Sequence, residues 1–344
     1  MSFTRLDPTD FVVSADSVTA PAWSNNVTTL TSFFTASAST TGSYYVDVYD
    51  GNISSPSASV QFSVAYGHYA GSGSLALNSL VLGKSPTRIT FGQFRNLIYG
   101  DAESAVNFGT GNVDSDDLIA IQIDRNRYKE SLFPGTFNLT LLNGANGPIK
   151  LTDNSNDVST ITYLDGGRVY NIVSGSNGTA KNSPTLSGAT QGNTVSGSYG
   201  LFLPDIGLIL LNPRALSLGT AAGGIVTSFN TTANTVAASS ANNNLIYAII
   251  NSGSNFQLNS QETISSDYVF VRFKNADYNY TTNPSFITGS GELIYSNFIN
   301  SPQTYPTTVG LYNDNNELLA VAKMSKPLTK DFTKEALIRV KLDW

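Results

Sequence analysis

Hydrophobic and polar positions alternate most regularly at the end of the chain. Ala336, Ile338, Val340, Leu342 and Trp344 alternate with Leu337, Arg339, Lys341 and Asp343. This is the period of a strand with one buried face and one mostly charged face. Upstream, apolar runs at 308–312 and 317–324 flank Asn313, Asp314, Asn315 and Asn316. Asn and Asp bond their own backbone and tolerate positive φ, so the cluster predicts a hairpin turn. Residues 305–344 therefore predict a hairpin followed by a paired and packed terminal strand with Trp344 on its apolar face. Burying one aromatic side chain contributes roughly 1.5–3 kcal/mol, enough to hold a terminus that would otherwise fray.

Further strands are predicted at 11–13, 44–49, 59–66, 118–123, 136–141, 268–273 and 292–295. Two more hairpins are predicted: 158–164 with 168–173, turning at Asp165-Gly166-Gly167, and 199–203 with 207–211, turning at Pro204-Asp205-Ile206. Residues 28–35 fit a strand or a short helix. The best helix runs from Ser85 to Tyr99, with Ser85 as N-cap, Pro86 in the first turn and Gly100 as C-cap. Ile89, Phe91, Phe94, Leu97 and Ile98 form its apolar side, and Gly92 costs it about 1 kcal/mol relative to Ala. Residues 67–84 read as a Gly/Ser connector, and the Thr/Ala/Ser/Asn tract at 231–244 reads as a loop. There is no repeat of fixed period. The pattern predicts a mainly β protein of antiparallel, sandwich-like sheets with one or two short helices. It divides into an N-terminal β segment, 1–66, and a main β-rich domain, 67–344, with 182–261 as a low-charge insertion.

Composition narrows the function classes. Charged residues are 13% and hydrophobic residues 40%, which fits neither a disordered chain nor a helical membrane protein. The net charge of −6 offers no broad basic field, so neither nucleic acid nor an anionic membrane is an expected partner. The N-terminal residues lack the apolar core of a signal peptide, so synthesis in a cytoplasm without an export tag is expected. With no cysteine, disulfides and thiolate chemistry are excluded.

Candidate chemistry is sparse. His68 is the only histidine and sits between Tyr66 and Tyr69 in a Gly-rich stretch, so any Ser-His-acid triad rests on it alone. One histidine and no cysteine make a transition-metal site improbable. Asp116-Asp117 lacks the spaced oxygens that calcium takes. Gly71-Ser72-Gly73-Ser74 has no following Gly-Lys-Ser/Thr and is not a phosphate loop. A carboxylate pair such as Asp277 and Glu292 leaves no linear signature of a glycosidase. No catalytic residue, cofactor or metal is expected. The basic residues Lys323, Lys326, Lys330, Lys334, Arg339 and Lys341 are interleaved with acids, as on a solvent-facing edge that discourages aggregation. Only Asp205 and Arg214 are charged between Asn182 and Gln261, which makes that region a candidate for burial against another chain.

Four stretches carry a family likeness. The first is 127–141, with Arg127, Tyr128, Lys129, Phe133, Pro134, Gly135 and Phe137. The second is 166–176, with Gly166, Gly167, Arg168, Tyr170 and Asn171. The third is 200–207, with Phe202, Pro204, Asp205 and Gly207. The fourth is 307–322 with 332–340. Together they resemble a family of virion structural proteins from contractile-tailed, T-even-like marine cyanophages. The segment 291–295 is similar to the end of T-even baseplate wedge proteins. The resemblance implies a non-enzymatic structural subunit of the tail, in the baseplate region, made in the host cytoplasm and built into the virion in several copies. A neck component, or a decoration protein binding host-surface carbohydrate, is the alternative. Expected partners are other tail, baseplate or neck proteins and further copies of the chain. Arg125, Arg127, Tyr128, Lys129, Arg214, Tyr312 and Trp344 are the candidate interface residues.

Overall fold

The structure is a computed structural model that describes residues 4–35, 44–75, 84–109, 114–142, 148–181, 198–218, 223–225, 228–232, 235–279 and 284–343. The chain is mainly β, as its patterning predicts. It begins with β1 (Phe11–Pro21), β2 (Thr29–Leu30), β3 (Phe34–Thr35), β4 (Val46–Tyr49) and β5 (Val60–His68), followed by α1 (Pro86–Tyr99). Next come β6 (Asp117–Ile123), β7 (Ser131–Leu132), β8 (Asn138–Leu142), β9 (Pro148–Asp153), β10 (Thr162–Leu164), β11 (Gly167–Ser176) and β12 (Thr179–Ala180). Then follow β13 (Gly200–Leu203), β14 (Leu208–Leu211), α2 (Pro213–Leu216), α3 (Val236–Gly253), β15 (Phe256–Gln257) and β16 (Asn259–Phe273). The chain closes with α4 (Asn297–Asn300), β17 (Thr308–Tyr312), β18 (Leu318–Lys323) and β19 (Ala336–Asp343).

Two compact units result: residues 18–262, and residues 1–17 together with 263–344. This division differs from the one expected from sequence. Residue 66 falls inside β5, which pairs with β6 from Phe62↔Ile123 to His68↔Asp117.

The larger unit is built on one antiparallel sheet in the order β2-β15-β8-β9-β11-β13-β14-β6-β5-β4-β3. Its two ends belong to one short segment, since Leu30 closes β2 and Phe34 opens β3. Four residue steps span at most about 14 Å. Eleven strands laid flat at ~4.8 Å spacing would separate those ends by about 48 Å. The sheet must therefore curl until its edges approach. Alternation sorts its side chains into two cores. Ile119, Ile121, Ile209, Leu211 and Phe202 point into one with Phe62, Phe137 and Phe256. Leu118, Ala120, Leu208, Leu210, Leu201 and Leu203 point into the other. The run 201–211 is nearly all apolar because its strands are covered on both faces.

α1 covers the second core. Ser85 accepts from the Arg88 amide, and Gly100 takes the left-handed conformation at φ 67° while its N–H bonds Asn96 O. The buried stripe is Thr87, Phe91, Arg95 and Ile98, whereas Ile89 and Leu97 are exposed. Arg95 is buried because its guanidinium caps the Ser104 and Ala105 carbonyls and lies over Tyr99. Gly67 admits the helix: a Cβ there would meet the Phe91 backbone nitrogen at 2.8 Å. Within the Gly/Ser connector, Ser74 accepts from the Thr87 amide and anchors the first turn of α1.

α3 overturns the loop expected at 231–244. Thr235 accepts from the Ala238 amide as N-cap. Asn242 bonds both backbone groups of Asn230, and Asn243 accepts from the Tyr66 amide. Ile246, Ile249 and Ile250 enter the first core at helical spacing. The absence of charge in this region follows from burial within its own chain at β13, β14 and α3; residues 182–197 lie outside the described residues.

β1, β16 and β19 form a second sheet in that order, with β7 also pairing the start of β16; residues 11–17 of β1, 263–273 of β16 and all of β19 belong to the smaller unit. β19 pairs with β16 from Ala336↔Phe273 to Asp343↔Ser266. Val340 is buried, Ile338 and Leu342 are half-buried, and Leu337, Arg339, Lys341 and Asp343 are exposed, as the alternation predicts. Trp344 lies outside the described residues. The predicted hairpin is β17–β18, which packs Val309 and Leu311 against Val269 and Val340. The strand expected at 292–295 does not form. Ile287 and Leu293 make an isolated bridge, and Leu293, Ile294 and Tyr295 remain exposed. The hairpin expected from 158 contains strand only at β10, turning into β11 at Leu164↔Gly167.

Candidate assembly surface

The candidate interface residues do not form one site. Arg125, Arg127, Tyr128 and Lys129 follow the end of β6 and are largely engaged with their own chain. Arg125 Nη1 donates to Tyr128 O at 2.6 Å and its guanidinium lies 4.6 Å from the Tyr128 ring centre. Arg127 donates to Ser24 Oγ, and Tyr128 is buried. Lys129 reaches Glu262 at 3.5 Å from a largely exposed position. Arg214 sits at the opposite end of β6, 4.0 Å from Asp116. Tyr312 belongs to the smaller unit. Of the carboxylates singled out for hydrolysis, Asp277 accepts from the Lys274 amide and Glu292 lies in an exposed turn. Asp205 is held by the Arg168 amide and guanidinium.

Three titratable groups with shifted pKa values, Tyr66, His68 and Asp117, lie at the paired ends of β5 and β6. Tyr66 Oη donates to Asp117 Oδ2 at 3.2 Å, and Ser115 Oγ donates to Oδ1 at 2.9 Å. Burial raises the Asp117 pKa, opposed by the Ser115 hydrogen bond and the nearby imidazole. Burial raises the Tyr66 pKa as well, reinforced by Asp117. Burial lowers the His68 pKa, against the pull of Asp117 and Asp116. All three shifts favour the uncharged side chain. His68 Nδ1 accepts from the Ala70 amide at 3.1 Å, so the nitrogen that would act as a base is already occupied. The Tyr66 ring stacks on Phe229 at 5.8 Å. The cluster ties β5 to β6 through polar groups inside a packed region. Among the described residues, no three His, Cys, Asp or Glu side chains are placed to hold a metal.

The smaller unit shows the opposite property, an inside-out distribution of apolar groups. Among the described residues, 49 hydrophobic residues are buried and only Val269, Phe273, Val309 and Val340 of these belong to it. Of the 26 large hydrophobic residues exposed among the described residues, 15 belong to it. β18 turns Ala320 and Ala322 inward and Leu319 and Val321 outward, Leu319 at 68% exposure. Tyr312 on β17, together with Phe332 and Leu337, adds to the exposed set. On β1 Phe11, Val12 and Val13 are exposed, and nine of its eleven residues are uncovered, which means both of its faces. Scattered apolar residues on a surface are ordinary; their concentration in one small unit makes it the candidate assembly surface. The sequence signalled β1 only as the short run 11–13. Its extension to Pro21 follows from pairing with β16, which the pattern of Ser, Thr and Ala at 14–20 does not reveal.

No family model, curated protein or solved structure matches this chain.

Proposed function

We propose that this chain is a non-enzymatic structural subunit of a contractile phage tail, in the baseplate region, and that it works by multi-copy protein–protein assembly. The observation that carries the assembly reading is the inverted surface of the smaller unit, with four buried hydrophobic residues against fifteen large exposed ones among the described residues. A thin core and a wide apolar exterior cost free energy in an isolated subunit and become favourable when neighbours cover them. The place in a phage tail rests on the likeness of 127–141, 166–176, 200–207 and 307–322 with 332–340 to cyanophage virion proteins. Those stretches lie in strands and turns that build sheets, consistent with a structural role. The neck is the alternative position.

Mass spectrometry of purified particles, combined with gold labelling of a tagged copy, tests the reading. The chain is expected in the particle at several copies, with label at the baseplate end of the tail. Label at the head–tail junction would move it to the neck. Absence from intact particles, with a monomeric purified protein, would overturn it.

A further inference from the structure

The sheet β1-β16-β19 ends in two strands that each have a single strand partner among the described residues. Edge strands of soluble proteins are usually shortened, bulged, broken by Pro or loaded with Lys. β1 is long, at eleven residues, has Pro only at its last position, and carries Asp16 as its one charge. β19, with eight residues, carries Arg339, Lys341 and Asp343 on its exposed face. Arg339 lies over Tyr268 of β16, 5.4 Å from the ring centre, and Lys341 reaches Asp343 at 2.8 Å. One edge is therefore acidic and the other has an excess of positive charge.

We propose that β1 of one copy pairs with β19 of the next, so that the β1-β16-β19 sheet continues from subunit to subunit. This rests on the assembly reading above and names the partner as a second copy of the chain. An eight-residue overlap runs about 27 Å. It satisfies a row of backbone groups on both strands and covers Phe11, Val12 and Val13. Charge decides between the two arrangements of copies. Pairing β1 with β1 about a two-fold axis brings the two Asp16 carboxylates toward each other and leaves β19 unpaired. Head-to-tail pairing sets Asp16 beside Arg339 and Lys341 and uses both edges. A contact of this kind is heterologous, so it closes into a ring or extends into a filament.

The test uses the full chain and three samples, with mass measured by light scattering over a concentration series. Wild type is expected to form a multi-copy species. Asp16→Lys and the double variant Arg339→Glu with Lys341→Glu are each expected to weaken assembly about tenfold or more, because each makes the meeting edges alike in sign. Both changes are on exposed positions, and far-ultraviolet circular dichroism checks that the fold is kept. Asp16→Asn, which only removes the charge, is expected to weaken assembly about threefold. Mixing the two reversed variants in equal amounts is expected to restore the multi-copy species, since the altered β1 of one then fits the altered β19 of the other. If wild type assembles and the β19 variant assembles as tightly, head-to-tail pairing is overturned while the assembly reading stands. Tighter assembly of Asp16→Asn than of wild type, without rescue on mixing the reversed variants, overturns it in favour of a two-fold pair. A wild type that stays monomeric overturns the assembly reading and this inference with it.

Discussion

Replacing Phe256 by Ala tests how the curled sheet is held together. β15 is two residues long, yet it joins β2 to β8, through Phe256↔Leu30 and Phe256↔Leu139. The Phe256 side chain is fully buried. Its ring centre lies 4.8 Å from Trp23, 5.3 Å from Phe62 and 5.9 Å from Phe137, and its carbonyl accepts from Trp23 Nε1 at 2.8 Å. Truncating a buried Phe to Ala costs about 3–5 kcal/mol, and more where the surroundings cannot collapse into the void. Three bulky rings packed in a buried cluster, one of them (Phe62) on a strand paired on both sides, relax little, so a loss of about 4 kcal/mol is expected. The chain has two tryptophans, and Trp344→Phe leaves the buried Trp23 as a local reporter. With an m-value of roughly 2.5 kcal/mol/M, urea unfolding followed by Trp23 fluorescence should shift its midpoint down by about 1.5 M. A loss below about 1 kcal/mol would refute the placement of Phe256 at the centre of this core.

Further substitutions probe other elements. Asp117 has its folded-state pKa raised by burial, so folding disfavours its ionised form. That penalty is fully present above the folded pKa and vanishes below the unfolded value. Asp117→Asn should therefore stabilise the protein near neutral pH, and the gain over wild type should shrink as pH falls through the carboxylate range in a thermal-melt series. Thr235→Ala removes the N-cap of α3 and should cost about 1 kcal/mol in urea unfolding, with Thr235→Ser retaining most of the stability. Lys330 is fully buried in the smaller unit and donates to Asn275 O, Asn279 Oδ1 and Asp331 O at 2.8–3.0 Å. Lys330→Ala strips those acceptors of their donor and should cost roughly 3 kcal/mol, read as earlier hydrogen exchange in β16 and β19.

How much of this was legible depended on whether the decisive contact was local. The cap residues Ser85 and Gly100, the Asn/Asp turn at 313–316 and the alternation of β19 are properties of neighbouring residues, and all of them form as predicted. α3 was missed because its first half, Ala, Ser and Asn, has no apolar period. It is helical because Asn242 and Asn243 find buried backbone partners on Asn230 and Tyr66, far away in sequence. The run 292–295 suggests a strand, but no described neighbour offers it a ladder beyond one bridge. The low charge of 198–261 reflects coverage of β13 and β14 on both faces, which composition alone cannot distinguish from an intermolecular surface. The exposed apolar surface of the smaller unit was illegible for the complementary reason. Leu319 and Val321 read as core residues in any strand pattern, and only the sheet geometry shows Ala320 and Ala322 taking the inner places.

A reconstruction of the intact particle at side-chain resolution tests the central claim most directly. The account predicts that Phe11, Val13, Leu319 and Val321, all exposed in the single chain, are covered by neighbouring chains in the baseplate. A particle in which this chain is present but these side chains face solvent, or in which it is absent, would contradict it.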